Sequence, residues 1–199
     1  MTALPARTLV LGGSGSGKSA VAEALVRDLP HVTYVATGAA PDAADPAWAQ
    51  RVQRHRDRRP AGWGTLETTD VAGVLRAHRG PLLVDSLGTW LAGVLDACDG
   101  WSDGDAWRPA YVEAADALVA AWQHAAGPVV LVADEVGSGV VPSTPAGRRF
   151  RDLLGPLTTR LSRSADRALL VVAGRALEPA AAAPWVDDPH PPAPTPEDA

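Results

Sequence analysis

Among 199 residues there are one cysteine, one methionine, one phenylalanine and two tyrosines. With Cys98 as the single cysteine, no intrachain disulfide can form, which fits a reducing compartment, and the fold must hold by packing. No apolar run reaches the length of a membrane span. Met1–Ala6 lack the pattern of a secretory signal, so the expectation is a cytoplasmic protein. Positive charge is not in excess either. A net charge of −5 argues against wholesale nucleic-acid binding and leaves room only for a local basic patch. Ala, Gly, Pro, Arg and seven Trp are abundant instead. A hydrophobic content of 46% with 21% charged residues is ordinary for a globular chain, and the length suffices for one α/β domain with a real core.

Periodicity and turn residues divide the chain into alternating elements. Strands are expected at Thr8–Leu11, Val32–Ala36, Pro81–Val84, Pro128–Ala133 and Arg167–Ala173. Helices are expected from Lys18 to about Asp28, with Val21, Ala22, Leu25 and Leu29 on one face, and over Val71–Ala77, Leu87 to about Leu95, and Ala106–Ala126. Another starts at Asp45-Pro46, a capping residue before a first-turn proline, and ends near Arg58 before Pro60. Pro145–Ala165 also reads as helix, kinked or broken at Gly155-Pro156. The order β-α-β-α-β-α-β-α-β implies a mostly parallel sheet covered by helices. Residues 1–177 form one domain on this reading. Residues 178–199, mostly Pro, Ala, Asp and Glu, read as a flexible tail.

The sharpest motif follows the first strand. Gly12-Gly13-Ser14-Gly15-Ser16-Gly17-Lys18-Ser19 fits G-x-x-x-x-G-K-[ST]. Its glycines let backbone N–H groups turn toward phosphate oxygens, and the helix that it opens offers its positive end to an anion. Lys18 reaches the β- and γ-phosphates of a nucleoside triphosphate, and the Ser19 hydroxyl ligates Mg²⁺. A chance glycine-rich turn is disfavoured because an apolar strand precedes the motif and an amphipathic helix follows. The fold class is therefore a P-loop NTPase-type three-layer α/β fold. A carboxylate that orders Mg²⁺ belongs at the end of another apolar strand. Asp85 is read first in that role, with Asp134-Glu135 as the second pair.

Arg51-Val-Gln-Arg54-His55-Arg56-Asp57-Arg58-Arg59 is the other unusual segment. Positions 51, 55, 58 and 59 share a helix face. By pattern alone, a solvated charged face is the plainer reading. The chemical reading is that guanidiniums around an imidazole keep it neutral and nucleophilic and also clamp a polyphosphate. His31, His78, His124 and His190 lack such company.

The segments Leu9–Ser19, Thr33–Gly38, Arg51–Pro60 with Trp63 and Glu67, Leu82–Leu91, Val130–Pro142, Arg148–Leu154 and Ala165–Gly174 together resemble the bifunctional adenosylcobinamide kinase / adenosylcobinamide-phosphate guanylyltransferase family of cobalamin biosynthesis. The resemblance covers about residues 7–175. It implies that His55 becomes covalently guanylylated and that Ala36, Thr37, Gly38, Arg56, Asp57, Arg58, Arg59, Glu67 and Asp85 help to hold GTP. It also implies Mg²⁺ as cofactor, ATP and GTP as substrates with adenosylcobinamide and its phosphate, and a homo-oligomer, a trimer. Two positions depart from the family. Asp85 stands where the family often has glutamate, and Asp134 stands where it usually has asparagine, adding charge near the site. Glu135 is assigned to orient Mg²⁺ or the acceptor hydroxyl. Two rival readings are a different small-molecule P-loop kinase, with the basic helix as a clamp, and a non-catalytic nucleotide-binding switch.

Overall fold

The structure is a computed structural model, and it describes residues 4–38 and 59–179, with Gln50 and Gln53 between them. Seven strands are described: β1 (Arg7–Gly12), β2 (Thr33–Ala36), β3 (Gly64–Glu67), β4 (Leu82–Asp85), β5 (Val129–Asp134), β6 (Arg167–Val172) and β7 (Arg175–Leu177). They form one sheet in the order β3-β2-β4-β5-β1-β6-β7. Every pairing is parallel except β6 with β7. The described helices are α1 (Lys18–Val26), α2 (Val71–Ala77), α3 (Leu87–Ala97), α4 (Arg108–Gln123) and α5 (Pro145–Arg163).

The strands β1, β4 and β5 are near-continuous Leu and Val because both faces are covered. On one face, Val10, Val130, Val132 and Leu83 pack against Ala22 and Val26 of α1. On the other, Leu9, Leu131 and Val84 meet a larger cluster with Leu75 of α2, Leu91 of α3, Leu118 and Trp122 of α4, and Leu154, Leu157 and Leu161 of α5. Trp122 is fully buried, and its indole N–H donates to the Leu161 carbonyl at 3.0 Å, so the largest side chain in the core leaves no polar atom unmet. The three layers expected from the element order are present.

Val21, Ala22, Leu25 and Leu29 all pack on the same cluster, as expected, and Glu23 and Val26 are buried beside them. Two expectations need correction. The helix α5 runs through Gly155-Pro156 unbroken. Leu154 on one side of the proline and Leu157 and Leu161 on the other are all buried, so tertiary packing anchors both halves and overrides the missing N–H. The strands β3 and β7 were not expected. Both lie at sheet edges with every residue exposed, so neither carries an apolar signal. The expected helix from Asp45 to Arg58 lies outside the described residues, apart from Gln50 and Gln53. Most of the tail does too, but Glu178 at its start pairs with Arg167 at 2.9 Å.

Candidate functional site

In a parallel sheet covered on both faces, the strand ends are the accessible part, and ligands bind outside the carboxyl ends. The candidate residues gather there in two groups.

The first group follows β1. Its opening position, Gly12, admits no side chain: a Cβ would run into Ser16 and lie 2.8 Å from the Val171 carbonyl oxygen. Gly17, at φ 93°, takes the left-handed conformation that turns the loop into α1. The turn is closed by Ser16 N–H on the Gly13 carbonyl (3.2 Å) and braced from outside by Gly174 N–H on the Ser16 carbonyl (2.9 Å). Lys18 Nζ donates to the Gly13 carbonyl at 3.3 Å and pairs with Asp134 Oδ1 at 2.8 Å. Asp134 stands there because β5 lies beside β1, in register Gly12 with Asp134. Its other oxygen accepts a hydrogen bond from the Ser86 hydroxyl at 3.4 Å. Ser19 is the second residue of α1, half-buried.

The second group lies at the ends of β2, β3 and β4. Asp85 ends β4, one strand further from β1 than Asp134. Tyr34 donates its hydroxyl to Asp85 Oδ2 at 3.1 Å. Burial, then the Asp85 charge, raises the Tyr34 pKa far above its ordinary value, so this hydroxyl remains a donor. The Arg59 guanidinium lies 3.4 Å from the centroid of the Tyr34 ring and donates to Thr65 Oγ1 at 3.3 Å. Arg59 Nε is buried with no hydrogen-bond partner among the described residues. Arg59, Trp63, Thr65 and Glu67 line an open groove of about 590 Å³ on the β3 edge.

Sequence reading named most of these positions, and the structure gives three of them further contacts. Thr37 is fully buried; its hydroxyl donates to the Ser86 carbonyl at 2.6 Å and lies 2.7 Å from Thr89 Oγ1, tying the end of β2 to the start of α3. Glu135 accepts from Gly137 N–H at 2.8 Å and Ser138 N–H at 3.2 Å, so its carboxylate shapes its own loop. Asp134 is the carboxylate that pairs with Lys18. Tyr34 and Ser86 were missed. Ser86 had a signal: Ser86-Leu-Gly-Thr89 before an apolar run is a capping box, and the structure shows one. His55, Arg56, Asp57 and Arg58 lie outside the described residues, and Arg59 is the member of that basic run whose contacts are described.

The family model described as cobinamide kinase / cobinamide phosphate guanyltransferase matches residues 8–178, which include both groups of residues and the basic segment between them. This chain belongs to that family. Two relatives agree. The bifunctional adenosylcobalamin biosynthesis protein CobU of Salmonella typhimurium is 39% identical over 175 residues, covering 83% of this chain and 95% of the relative. The bifunctional adenosylcobalamin biosynthesis protein CobP of Pseudomonas aeruginosa is 38% identical over 173 residues, covering 84% and 94%. Among solved structures, an ATPase from the type III secretion system of pathogenic bacteria superposes with a TM-score of 0.52 at 13% identity. The match covers 83% of this chain and 51% of the ATPase, a likeness of fold alone. This chain is thus built on a P-loop ATPase-like sheet, as the Gly12–Ser19 motif implied. No described helix is long and apolar enough to cross a membrane.

Proposed function

We propose that this chain phosphorylates adenosylcobinamide and then guanylylates the product. The observation that carries the reading is a complete phosphate loop on the same sheet end as the Tyr34–Arg59–Asp85 cluster, within a chain matched from end to end of its folded part by a two-activity family.

In the first reaction, the aminopropanol hydroxyl of adenosylcobinamide attacks the γ-phosphorus of a nucleoside triphosphate. The bond to the β–γ bridging oxygen breaks and the diphosphate leaves. Backbone N–H groups of Gly13–Lys18 cradle the phosphates, and Lys18 neutralises the charge that builds between the β- and γ-positions. Mg²⁺ suits the donors present. Among the described residues no three His, Cys, Asp or Glu side chains form a protein cage, and an ion that keeps several waters and shares itself with phosphates needs none. The Ser19 hydroxyl and Asp85 would hold it, with Asp134 as the second candidate carboxylate, and the ion would supply positive charge to the phosphate oxygens.

In the second reaction, a neutral ring nitrogen of His55 attacks the α-phosphorus of GTP and pyrophosphate leaves. A phosphate oxygen of adenosylcobinamide phosphate then attacks the guanylyl-histidine. The N–P bond breaks, its electron pair returns to the ring, which is protonated at its other nitrogen and so departs as neutral imidazole, and adenosylcobinamide-GDP forms. Arg56, Asp57, Arg58, Arg59, Glu67, Asp85 and the Ala36–Gly38 backbone hold this nucleotide. The assembly is a homo-oligomer, a trimer, working in the cytoplasm.

Incubation with α-labelled GTP tests the reading. It should leave on the wild-type protein a label that is acid-labile and alkali-stable, and His55→Asn should take none. A protein that phosphorylates cobinamide but never takes label is a kinase only, with the basic segment as a clamp.

A further inference from the structure

The lysine of the phosphate loop is already engaged. Lys18 Nζ sits 2.8 Å from Asp134 Oδ1, with side chains only 12% and 29% exposed, so water screens the pair weakly. Asp134 is held from its other side as well. The Ser86 hydroxyl donates to Oδ2 at 3.4 Å, and Gly88 lies so close that a Cβ there would run into the same oxygen. Both are at the N-terminal end of α3, whose positive pole favours a fixed anion. The carboxylate also belongs to β5, in register with the first glycine of the loop.

A triphosphate that enters this loop must take Lys18 away from Asp134. It then leaves a negative carboxylate, without its counter-charge, facing the phosphate oxygens. A metal-free nucleotide bears both losses. A nucleotide that carries a divalent cation brings a positive charge to the carboxylate, directly or through the cation's waters, and replaces the one that Lys18 supplied. We infer that Asp134 makes the phosphate loop of this chain selective for metal-chelated over metal-free nucleotide, through its fixed ion pair with Lys18. The inference rests on the phosphate-loop part of the proposed function. Asparagine at 134 would keep the shape of the side chain and a hydrogen bond to Lys18, but not the charge. Asp134 is thus a specificity-determining and positioning residue, read from its contacts with Lys18 and Ser86.

The test is equilibrium binding of a β,γ-imido nucleoside triphosphate, with excess Mg²⁺ and with excess EDTA, to wild type, Asp134→Asn, Asp134→Ser and Asp134→Glu. Only binding abolished by Lys18→Ala is counted. In wild type, chelation should weaken binding by roughly a hundredfold. In Asp134→Asn and Asp134→Ser, the metal-free affinity should rise by roughly tenfold or more, so the ratio shrinks toward roughly tenfold. Asp134→Glu should restore the wild-type ratio, which a purely packing role for the residue would not do. An unchanged ratio in the neutral variants overturns the inference. A wild-type ratio near one overturns it too, whatever the variants' folding. No Lys18-dependent binding even with Mg²⁺ overturns instead the phosphate-loop reading on which it stands.

Discussion

The phosphate loop and the β3 edge lie at the same end of one sheet, yet they are built by opposite means. The loop is made of backbone. It hangs from the central strand β1, between β5 and β6, and its geometry follows from glycines and from carbonyl and amide contacts. The edge is made of side chains. A guanidinium lies on a tyrosine ring, the tyrosine donates to an aspartate, and a buried threonine ties two strand ends together. A site of backbone tolerates few substitutions and binds what all its ligands share, the phosphates. A site of side chains can be tuned to one ligand, and one change in it should spare the other site.

The largest effects should come from the pair of substitutions that separates the two regions. His55→Asn should bring guanylyl transfer to background while cobinamide phosphorylation stays within about threefold, since covalent catalysis alone loses its nucleophile. Lys18→Ala should do the reverse to phosphorylation, lowering kcat by roughly a hundredfold to a thousandfold. Steady-state assays of each half-reaction, with adenosylcobinamide and with its phosphate, read both. If either substitution disables both steps equally, the division into two centres is wrong.

A smaller effect should follow Tyr34→Phe. The ring still carries Arg59, but Asp85 loses a donor at 3.1 Å in a buried setting. The cost is about 1 kcal/mol in stability, with a several-fold rise in KM for GTP in guanylyl transfer and unchanged nucleotide affinity at the phosphate loop. Differential scanning calorimetry and the two assays check it. An equal change in both affinities would join the regions that the comparison keeps apart.

The smallest effect belongs at the opposite end of β1, remote from both sites. Arg7 holds Asp166 at 2.9 Å, and that hydrogen bond keeps the Asp166 carboxyl below the usual carboxylate range. A carboxylate depressed in the folded state stabilises the protein above its unfolded pKa and ceases to do so as pH falls through its folded value. Asp166 is more than a third exposed, so solvent screening limits the contribution to about 0.5–1 kcal/mol. Asp166→Asn should therefore lower Tm slightly at pH 7, leave both activities intact, and approach the wild type as the pH falls through the depressed folded-state value of Asp166. A difference that persists in acid would show that the charge is not what matters.

Which parts were legible in the sequence follows from the same contrast. Leu9-Val10-Leu11 before Gly12, and Val130–Ala133, are buried on both faces, so their apolar runs announced both the strands and the parallel sheet. The phosphate loop was legible because backbone conformation needs glycine at fixed spacing. The strand β3 was illegible because every residue of Gly64-Thr-Leu-Glu67 is exposed; its place depends on β2, not on its own pattern. Asp134 was known to add charge near the site, but its contact with Lys18 depends on which strand lies next to β1. That adjacency, β5 rather than β4, is a fact of topology that residue types do not carry. Arg59 on Tyr34 joins residues from two separate segments, and no local spacing encodes it.

The brace from Gly174 to the phosphate loop has a consequence for how the chain is made. Leu9 pairs on one side with Leu131 and on the other with Ala168, and the loop after it is held at Ser16 by the turn that follows β6. A segment made early in this domain thus waits for segments made later in it. Contacts of such long sequence separation form slowly. Until Gly174 is in place, the nascent loop has its glycines but not its shape, and nucleotide has nothing rigid to hold. Triphosphate binding should accordingly report completed synthesis of the domain, and ligand cannot chaperone the early half of this fold.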